Sequence, residues 1–523
     1  MSRALIRPAT PGVHLKALTA LVERPGLGSE VPDVLVTGVT LDSRAVVPGD
    51  LYAALPGFNV HGARFARDAV RAGAAAVLTD AAGVAQLEGL GVPVVVVEDP
   101  RAVLGEVAAG VYGNPADELT MLGVTGTNGK TTTAYLIDSA LRAHGLRTGL
   151  VGTVETRIGD DRIESARTTP EATDLHALLG VMRDRGLDAC VMEVSSHALE
   201  LHRVDGVVYD VALFTNLSQD HLDFHPTMEA YFLAKSSLFT PARSRRGVVC
   251  VDDEWGRRLA RIAEIPVTTL STGDAEADWR AEAGESGTFA LTEVRGGRVL
   301  HLVSHLPGTF NVANTALGAL ALLALGLSAE EVERAMTSPP TVPGRMEVVE
   351  PGGAGRPRCI VDFAHTPDAI EAALAALRPS TQGRLIAVVG AGGDRDRGKR
   401  PAMGAAAARH ADVVVITDDN PRSEDPASIR EAVLGGAREV VDRGESTAAV
   451  LDGGARSAAI AEAIALSVVD ASADTPTDTV VVLGKGHEKG QEVQGVIHPF
   501  DDRQATVAAL EAAAGPARPG VEA

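Results

Sequence analysis

Short runs of β-branched and other apolar residues recur along this sequence, separated by Ala/Leu-rich segments of helical periodicity. Examples are AAAVLT, MLGVTG, ACVMEVSS, RLIAVVG and TVVVLGKG. The runs are continuously apolar instead of alternating, which is typical of strands that helices cover on both faces, and hence of parallel sheets. The sequence therefore predicts an α/β protein built on parallel sheets.

The length predicts how many such sheets the chain forms. At about 150 residues per domain, 523 residues correspond to roughly three domains. A Gly-Asn-Pro-Ala-Asp turn at 113–117 and the proline-rich stretch Pro339–Arg345 interrupt the strand and helix patterns. We therefore expect domains at about 1–117, 118–343 and 344–523.

Composition and charge exclude several classes of protein. Lys+Arg 48 against Asp+Glu 69 give a net charge of −21, and only 3% of residues are aromatic, which argues against a nucleic-acid partner. Three widely spaced cysteines, Cys190, Cys250 and Cys359, suggest buried thiols in a reducing compartment. No segment resembles a signal peptide or a membrane span. We expect a cytoplasmic monomer without membrane insertion.

One glycine-rich segment has the pattern of a phosphate-binding loop. MLGVTGTNGKTTT at 121–133 predicts a strand, a tight turn and a helix start, which together direct backbone N–H groups at phosphate oxygens. Lys130 adds a positive charge and Thr131 a hydroxyl for Mg²⁺. The common spacing of such loops requires glycine at position 124, where this chain has Val124. We expect ATP as the nucleotide, because no guanine-reading motif is visible.

Polar residues also follow two later strands, in MEVSSHALELHR (192–203) and FTNLSQDHLDFH (214–225). The carboxyl ends of strands in open α/β sheets gather ligands. Carboxylate oxygens and imidazoles, among them Glu193 and His221, are suited to holding Mg²⁺ against ATP phosphates. The two segments therefore predict a metal site beside the phosphate loop.

Three loops in the last third of the chain suggest a site for a small charged ligand. They read GAGGDRDRGKRP (390–401), TDDNPRSEDP (417–426) and GKGHEKGQE (484–492). If their strands are parallel neighbours, Arg395, Arg422 and Glu488 face one ligand. Guanidinium groups bind carboxylates and a carboxylate binds an ammonium, so the ligand is expected to be an amino acid with extra charges at its far end.

These motifs resemble those of the Mur ligase family. GTNGKTT at 126–132 is similar to the nucleotide loop of Mur ligases and of the related folylpolyglutamate synthetases, which are ATP-driven amide-forming enzymes. The segment VTLDSRAVVPGDLYAALPGF at 39–58 resembles the UDP-sugar domain of the family. DNPR at 419–422 resembles the signature of members that add diaminopimelate. The resemblance implies an N-terminal UDP-sugar-binding domain, a central P-loop ATPase sheet and a C-terminal Rossmann-like domain.

The resemblance also implies roles for individual residues. It implies nucleotide contacts from Gly126, Thr127, Asn128, Gly129, Lys130, Thr131, Thr132, Asn311, Asn314, Arg345 and Asp362. It implies contacts to the UDP-linked substrate from Leu41, Ser43, Thr168, Thr169, Ser195, Leu201 and Arg203. It implies diaminopimelate contacts from Arg395, Asp419, Asn420, Pro421, Arg422, Gly484 and Glu488. Outside the resemblance, the two asparagines are also compatible with helix capping and Arg345 with a linker.

The implied catalytic set is Lys130, Glu193, His221 and Lys235, with Mg²⁺ held by Thr131, Glu193, His221 and a CO₂-derived carbamate on Lys235. A carbamate converts a cation that repels Mg²⁺ into an anion that attracts it. Without the resemblance, the segment AYFLAKSSLF around Lys235 favours a surface lysine whose stem lies along apolar neighbours.

The implied reaction joins diaminopimelate to the D-glutamate side-chain carboxylate of UDP-N-acetylmuramoyl-L-alanyl-D-glutamate, through an acyl phosphate, in peptidoglycan precursor synthesis. A folylpolyglutamate synthetase is one alternative, disfavoured by the DSR-containing N-terminal segment and by DNPR. A catalytically silent scaffold for envelope-synthesis proteins is another, disfavoured by retention of the catalytic set. Meso and LL diaminopimelate carry the same charged groups, so the sequence does not separate them.

Overall fold

The computed structural model describes residues 6–21, 32–57, 59–165, 167–338, 342–350, 352, 356–467 and 477–513. Residues 339–341 of the predicted linker lie outside these ranges. Within them, the strands form sheets of four, eleven and six strands and two small two-stranded ribbons. Each large sheet lies within one of the three predicted segments, whose exact boundaries stay a prediction.

The N-terminal segment forms a parallel sheet in the order β3-β4-β5-β6, preceded by the antiparallel ribbon β1–β2. Its strands are β1 (Val13–His14), β2 (Leu35–Val36), β3 (Gly38–Thr40), β4 (Asp50–Ala53), β5 (Ala76–Thr79) and β6 (Val94–Val96). Its helices are α1 (Leu15–Leu21), α2 (Ala66–Arg71), α3 (Ala81–Val84) and α4 (Pro100–Val111). The Asp99 side chain caps α4, whose first residue is Pro100, a favourable start for a helix.

The middle segment forms the largest sheet, in the order β10-β9-β8-β11-β7-β12-β13-β14-β15-β16-β17. Its strands are β7 (Thr120–Thr125), β8 (Thr148–Val151), β9 (Glu155–Ile158), β10 (Asp161–Glu164), β11 (Ala189–Glu193), β12 (Val211–Phe214), β13 (Gly247–Cys250), β14 (Val267–Ser271), β15 (Trp279–Ala283), β16 (Thr288–Glu293) and β17 (Val299–Val303). Its helices are α5 (Lys130–Ala143), α6 (Ala172–Asp184), α7 (Ser196–Glu200), α8 (Met228–Ser236), α9 (Glu254–Ile262), α10 (Thr309–Ala324) and α11 (Ala329–Ala335).

The middle sheet is parallel at its centre, as predicted, but both of its ends are antiparallel. In the sheet order, the run from β8 through β11, β7, β12, β13 and β14 to β15 pairs in parallel. At one end β9 and β10, and at the other β16 and β17, pair antiparallel. The chain between β9 and β10 is too short for a crossover, so only a hairpin fits. Burial alternates along β17, as expected where helices cover one face only.

The C-terminal segment forms a sheet in the order β18-β19-β23-β20-β21-β22, parallel except for the edge strand β18, and a separate hairpin β24–β25. Its strands are β18 (Glu347–Glu350), β19 (Arg358–Asp362), β20 (Leu385–Ala391), β21 (Val413–Asp418), β22 (Ala449–Gly454), β23 (Thr479–Leu483), β24 (Gly490–Val493) and β25 (Val496–Pro499). Its helices are α12 (Pro367–Leu377), α13 (Lys399–His410), α14 (Pro426–Asp442), α15 (Arg456–Ser467) and α16 (Asp502–Ala513).

The middle sheet carries a hydrophobic core on each face. One core includes Ile137 of α5 and Leu317 of α10, and the other includes Leu175 of α6 and Phe232 of α8. Cys190, Cys250 and Cys359 are buried and form no disulfide. Among the helices that the structure describes, none is long and apolar enough to cross a membrane.

Candidate active site

The predicted phosphate loop lies between β7 and α5, at the centre of the middle sheet. Gly126 (φ +145°) and Gly129 (φ +86°) have backbone conformations that side chains rarely adopt. A Cβ at Gly126 would collide with the Thr215 hydroxyl, and one at Gly129 with the Asn314 amide. The loop therefore depends on glycine at both positions, and Lys130 is the first residue of α5.

The segment after β12 fixes this loop. Backbone and side-chain atoms of Asn216 bond to the loop: its carbonyl accepts from the Thr127 amide at 2.9 Å, and its Oδ1 accepts from the Asn128 amide at 3.0 Å. The Thr215 hydroxyl donates to the Asn128 carbonyl at 2.6 Å. Sequence reasoning singled out only His221 in this segment, although the polar run TNLS directly after a buried strand was a usable signal.

Glu193 lies at the end of β11, 1% exposed, and accepts hydrogen bonds from two hydroxyls and one amide. Its Oε2 accepts from Thr131 at 3.0 Å and from Thr153 at 3.1 Å, and its Oε1 accepts from the Thr153 amide at 2.8 Å. The Thr153 hydroxyl also lies 3.0 Å from that of Thr168. Thr153, which sequence reasoning missed, thus connects the predicted metal ligand to a predicted substrate residue.

Lys235 is buried, 1% exposed, and is not the surface lysine that its sequence context favours. Its Nζ donates to the Gly126 carbonyl at 2.7 Å and lies 4.6 Å from the ring centroid of Tyr231. Lys130 donates to the same carbonyl at 2.9 Å. Burial, together with the charge of Lys130, lowers the pKa of Lys235 well below its usual value. The structure therefore favours a neutral Lys235 amine.

His221 lies beside Asp220 at the mouth of this site. The His221 Nε2 is 3.7 Å from Asp220 Oδ2, and burial lowers the pKa of His221 to about 3. Asp220 also has His365 at 3.8 Å and Lys399 at 3.5 Å, both from the C-terminal segment. Burial raises the Asp220 pKa, but the contact with His365 and the nearby charges of His221 and Lys399 outweigh it and hold the pKa below its usual range. Asp220 is a further residue that sequence reasoning missed.

The residues predicted to bind Mg²⁺ fit that ion when water and substrate phosphates supply the other ligands. Among the described residues, no three His, Cys, Asp or Glu side chains are arranged to hold a metal ion together. Mg²⁺ usually takes one or two carboxylates and completes its shell with water and substrate phosphates. Glu193, Thr131 and His221 suit that pattern, whereas a cationic Lys235 would oppose it.

The predicted nucleotide residues beyond the loop come from both α10 and the C-terminal segment. Asn311 and Asn314 lie inside α10, not at its cap, and the Asn314 Oδ1 accepts from the Thr133 hydroxyl at 3.2 Å. Arg345 donates to the Thr131 hydroxyl at 3.1 Å and stacks over the Phe363 ring at 4.2 Å. This arginine therefore reaches the phosphate loop from the C-terminal segment. The Asp362 carboxylate accepts from the backbone amides of residues 346 and 364.

The predicted substrate residues of the middle segment surround a buried carboxylate. Glu171 pairs with Arg203 at 2.8 Å, with Arg167 at 3.1 Å and with Arg101 of α4 at 3.2 Å. Three guanidinium charges against one carboxylate leave this group positive. Sequence reasoning chose Arg203 alone, although Arg167 directly precedes the predicted Thr168; Arg101 lies 70 positions from Glu171 and had no such signal. The group is suited to an anionic substrate.

The remaining predicted substrate residues lie on both sides of that group. The Thr169 hydroxyl donates to the Glu193 carbonyl at 2.8 Å and accepts from the Ser195 amide at 3.1 Å. The Leu201 carbonyl lies 3.4 Å from Arg101 Nη1. Leu41 and Ser43 follow β3 in the N-terminal segment, at the carboxyl end of that strand. Thr168 and Thr169 are thus coupled to Glu193, while Leu41 and Ser43 belong to a separate sheet edge.

The predicted amino-acid residues converge at the carboxyl ends of β21 and β23. Glu488 Oε2 accepts from the side-chain Nδ2 of Asn420 at 2.9 Å and from Lys485 Nζ at 2.9 Å. Lys485 is completely buried and also donates to Asn420 Oδ1 at 2.9 Å, with Asp419 at 3.7 Å. Gly484 has φ +117°, and a Cβ there would lie 2.6 Å from the Asp419 carboxylate. The loops of DNPR and GKGHE therefore form one charged pocket.

Arg395, another predicted amino-acid residue, has an ion pair on the side of the middle segment. Its Nη1 lies 3.6 Å from Asp223 of the middle segment. Two buried residues that sequence reasoning missed support the pocket. They are Arg456 and Asp502, which pair through two contacts of 2.6 and 2.7 Å. Arg456 also lies 3.8 Å from Asp419. No motif of the sequence identified this pair, since its members lie 46 residues apart.

In this chain, a glycine loop leads from a central parallel strand into a helix, and an α/β sheet precedes and another follows this segment. These features place it among three-domain phosphate-loop proteins. Models of three domain families match the chain: the Mur ligase family, catalytic domain (residues 35–112), the Mur ligase middle domain (124–323) and the Mur ligase, glutamate ligase domain (344–486). The chain belongs to the Mur ligase family.

Individual relatives match over almost the whole chain. The UDP-N-acetylmuramoyl-L-alanyl-D-glutamate–2,6-diaminopimelate ligase of Streptomyces coelicolor is 52% identical, covering 97% of this chain and 99% of the relative. The ligase of the same name from Corynebacterium glutamicum is 47% identical over 92% of this chain and 93% of its own. A solved structure with that name has a TM-score of 0.65 and 31% identity, covering 96% of this chain and 99% of that one.

Proposed function

We propose that the protein is an ATP-dependent acid–D-amino-acid ligase that adds diaminopimelate to UDP-N-acetylmuramoyl-L-alanyl-D-glutamate, a step of peptidoglycan precursor synthesis. The observation that carries the proposal is the pocket of Asp419, Asn420, Arg422 and Glu488, which offers both signs of charge to one ligand. The names of relatives at 52% and 47% identity support the same substrates. The proposal assigns residues 1–117 to the UDP-sugar, 118–343 to ATP and 344–523 to the amino acid.

Phosphoryl transfer is the first chemical step. One oxygen of the D-glutamate side-chain carboxylate attacks the γ-phosphorus of ATP, and the bond from that phosphorus to the bridging oxygen of ADP breaks. The backbone amides at the N-terminus of α5, the Lys130 ammonium and the Arg345 guanidinium stabilise the charge on the phosphate oxygens. Asn311, Asn314 and Asp362 are assigned to the nucleoside side of ATP. The products of this step are ADP and an acyl phosphate.

Binding of the acceptor is assigned to the positive group around Glu171. Arg203, supported by Arg101 and Arg167, holds the anionic peptide end of the UDP-linked substrate, with Thr168, Thr169, Ser195 and the Leu201 backbone beside it. Leu41 and Ser43 are assigned to the UDP end. Because Thr168 is coupled through Thr153 to Glu193, the carboxylate to be activated lies close to the phosphate loop.

Amide formation is the second step. The diaminopimelate amine attacks the carbonyl carbon of the acyl phosphate, the tetrahedral intermediate expels inorganic phosphate, and the amine loses one proton to solvent or a nearby base. The DNPR and GKGHE loops hold the amino acid, with Arg422 on its far carboxylate and Glu488 lining the same pocket. Pro421 and Gly484 shape the backbone of this pocket, and Arg395 is assigned to the side that faces the middle segment.

Mg²⁺, when bound, neutralises charge on the transferring phosphoryl group. Thr131, Glu193 and His221 are the residues proposed to hold it. We also propose that Lys235 reacts with CO₂: the neutral amine forms an N–C bond, one C=O electron pair moves to oxygen, and a proton is released. The buried amine, which has no carboxylate within hydrogen-bond distance among the described residues, supports this modification.

An assay of ADP release tests the function. Purified protein with ATP, Mg²⁺ and UDP-N-acetylmuramoyl-L-alanyl-D-glutamate should release ADP rapidly on addition of diaminopimelate and at least about 100-fold more slowly with lysine, a difference of about 3 kcal/mol. Mass spectrometry should detect the tripeptide product. The LL and meso isomers are assayed separately.

Three outcomes would contradict the proposal. Faster turnover with lysine would overturn the amino-acid specificity. Turnover with folate and glutamate instead would favour a folylpolyglutamate synthetase. No ADP release with any substrate combination, from protein that binds ATP, would favour a scaffold.

A further inference from the structure

Arg422, the proposed partner of the far carboxylate of diaminopimelate, is already engaged within the chain. Its Nη1 donates to the Gly393 carbonyl at 2.7 Å, and its Nε lies 3.3 Å from Glu492 Oε2. Among the residues described, no hydrogen-bond partner faces its Nη2. A ligand carboxylate that approaches Arg422 therefore meets a guanidinium that a carboxylate of the chain already flanks.

The backbone fixes Glu492 in this position. The Arg422 amide donates to the Glu492 carbonyl at 3.0 Å, and the Gln494 amide donates to the Arg422 carbonyl at 2.7 Å. The Glu492 amide donates to Asn420 Oδ1 at 3.0 Å. Arg422 itself has φ +52°, so its loop is held in an unusual conformation. The β24–β25 hairpin thus attaches Glu492 to the DNPR loop independently of the side-chain ion pair.

The charge of this pair determines what kind of ligand end it accepts. Arg422 and Glu492 together carry no net charge, whereas Arg422 alone would attract any carboxylate. A ligand end with a carboxylate only would bring a like charge close to Glu492. A ligand end with a carboxylate and an ammonium on the same carbon offers one group to each partner. The pair is therefore complementary to a zwitterionic amino-acid end.

We propose that Glu492 is a specificity-determining residue for the far end of the incoming amino acid, selecting a zwitterionic end over a purely anionic one. This inference rests on the proposed function and deepens it. The two partially exposed side chains, 23% for Arg422 and 39% for Glu492, leave room for a ligand to approach the pair.

Glu492→Gln tests this proposal, because it removes the charge and keeps the shape of the side chain. The assay compares kcat/KM for diaminopimelate with that for 2-aminopimelate, which has the same length but lacks the far amino group. Wild-type protein should prefer diaminopimelate, and the variant should narrow this preference by about tenfold. The KM for ATP should not change. Glu492→Asp, which keeps the charge, should retain most of the preference.

Glu445→Gln is the matched control. Glu445 follows the C-terminal end of α14, is 40% exposed, and pairs at 3.0 Å with Arg409 in the last turn of α13, away from the pocket. It should leave the preference unchanged. An unchanged preference in Glu492→Gln, or an equal change in Glu445→Gln, would overturn the role of Glu492. If wild-type protein turns over neither amino acid, the proposed function itself has failed, which is a different result.

Discussion

Two lysines are equally buried in this protein, but their surroundings differ. Lys485 in the amino-acid pocket contacts Glu488 and Asn420 at 2.9 Å and has Asp419 at 3.7 Å. Lys235 beside the phosphate loop contacts a backbone carbonyl at 2.7 Å and lies close enough to Lys130 for that charge to lower its pKa. The charge of Lys485 is thus balanced by nearby carboxylates, whereas Lys235 has no such carboxylate partner.

The difference separates a structural role from a chemical one. Burying an ammonium is costly unless it is paired, so an unpaired buried lysine tends to lose its proton. A neutral amine is a nucleophile, whereas an ion-paired ammonium is not. The contrast therefore predicts that Lys235 is needed for activity more than for stability, and that Lys485 is needed for stability.

The largest expected effect is on activity. Lys235→Ala should lower kcat by about 10³-fold, or about 4 kcal/mol, because the anion that organises Mg²⁺ would be missing. Short carboxylates such as acetate should restore part of the activity by occupying the space of the carbamate. Exposure of wild-type protein to ¹³CO₂ should add a carbamate signal in ¹³C NMR spectra that Lys235→Ala lacks. Loss of activity without rescue and without this signal would refute the carbamate.

The second effect is on stability. Lys485→Met leaves the Glu488 carboxylate without its buried cation and Asp419 with Arg456 alone, and we expect it to lower the free energy of unfolding by about 3 kcal/mol. Lys235→Met, the matched control, removes a buried amine that has no carboxylate partner, and at neutral pH it should not lower the free energy of unfolding. Urea denaturation measures both. Equal losses in the two variants would remove the distinction between the lysines.

The sequence predicted the two sites in which these lysines lie, because both sites depend on local sequence patterns. Continuous apolar runs identified the central parallel strands, and MLGVTGTNGKTTT identified a loop that lies at the middle of the largest sheet. The pocket of DNPR and GKGHE followed from strands whose carboxyl ends meet. Each of these inferences needs only short segments and a parallel sheet.

The rest depends on contacts between distant residues, which a single sequence does not specify. The AYFLAKSSLF pattern fits a surface lysine as well as a buried one, and only the packing of α8 buries Lys235. Lys485 stands between two motif residues, and nothing local indicated that it was buried. Likewise, Arg101 reaches Glu171 from 70 positions away. The antiparallel ends of the middle sheet were missed because a general pattern was extended to strands that one short turn connects.

The smallest expected effect is a pH dependence of the free energy of unfolding that arises from Lys235. Its pKa in the folded protein is depressed below the usual 10.5, so between the two values the unfolded chain binds a proton that the folded chain does not. Stability should therefore rise with pH through this interval, by about 1.4 kcal/mol per pH unit, and the gain should be complete above 10.5. Below the folded pKa, both states are protonated and the slope should vanish. CO₂-free urea titrations of wild-type protein and Lys235→Met measure the difference between the two proteins, which should increase with pH. A difference that stays flat or decreases would mean that Lys235 remains an ammonium in the folded state, and the chemical contrast with Lys485 would then lose its basis.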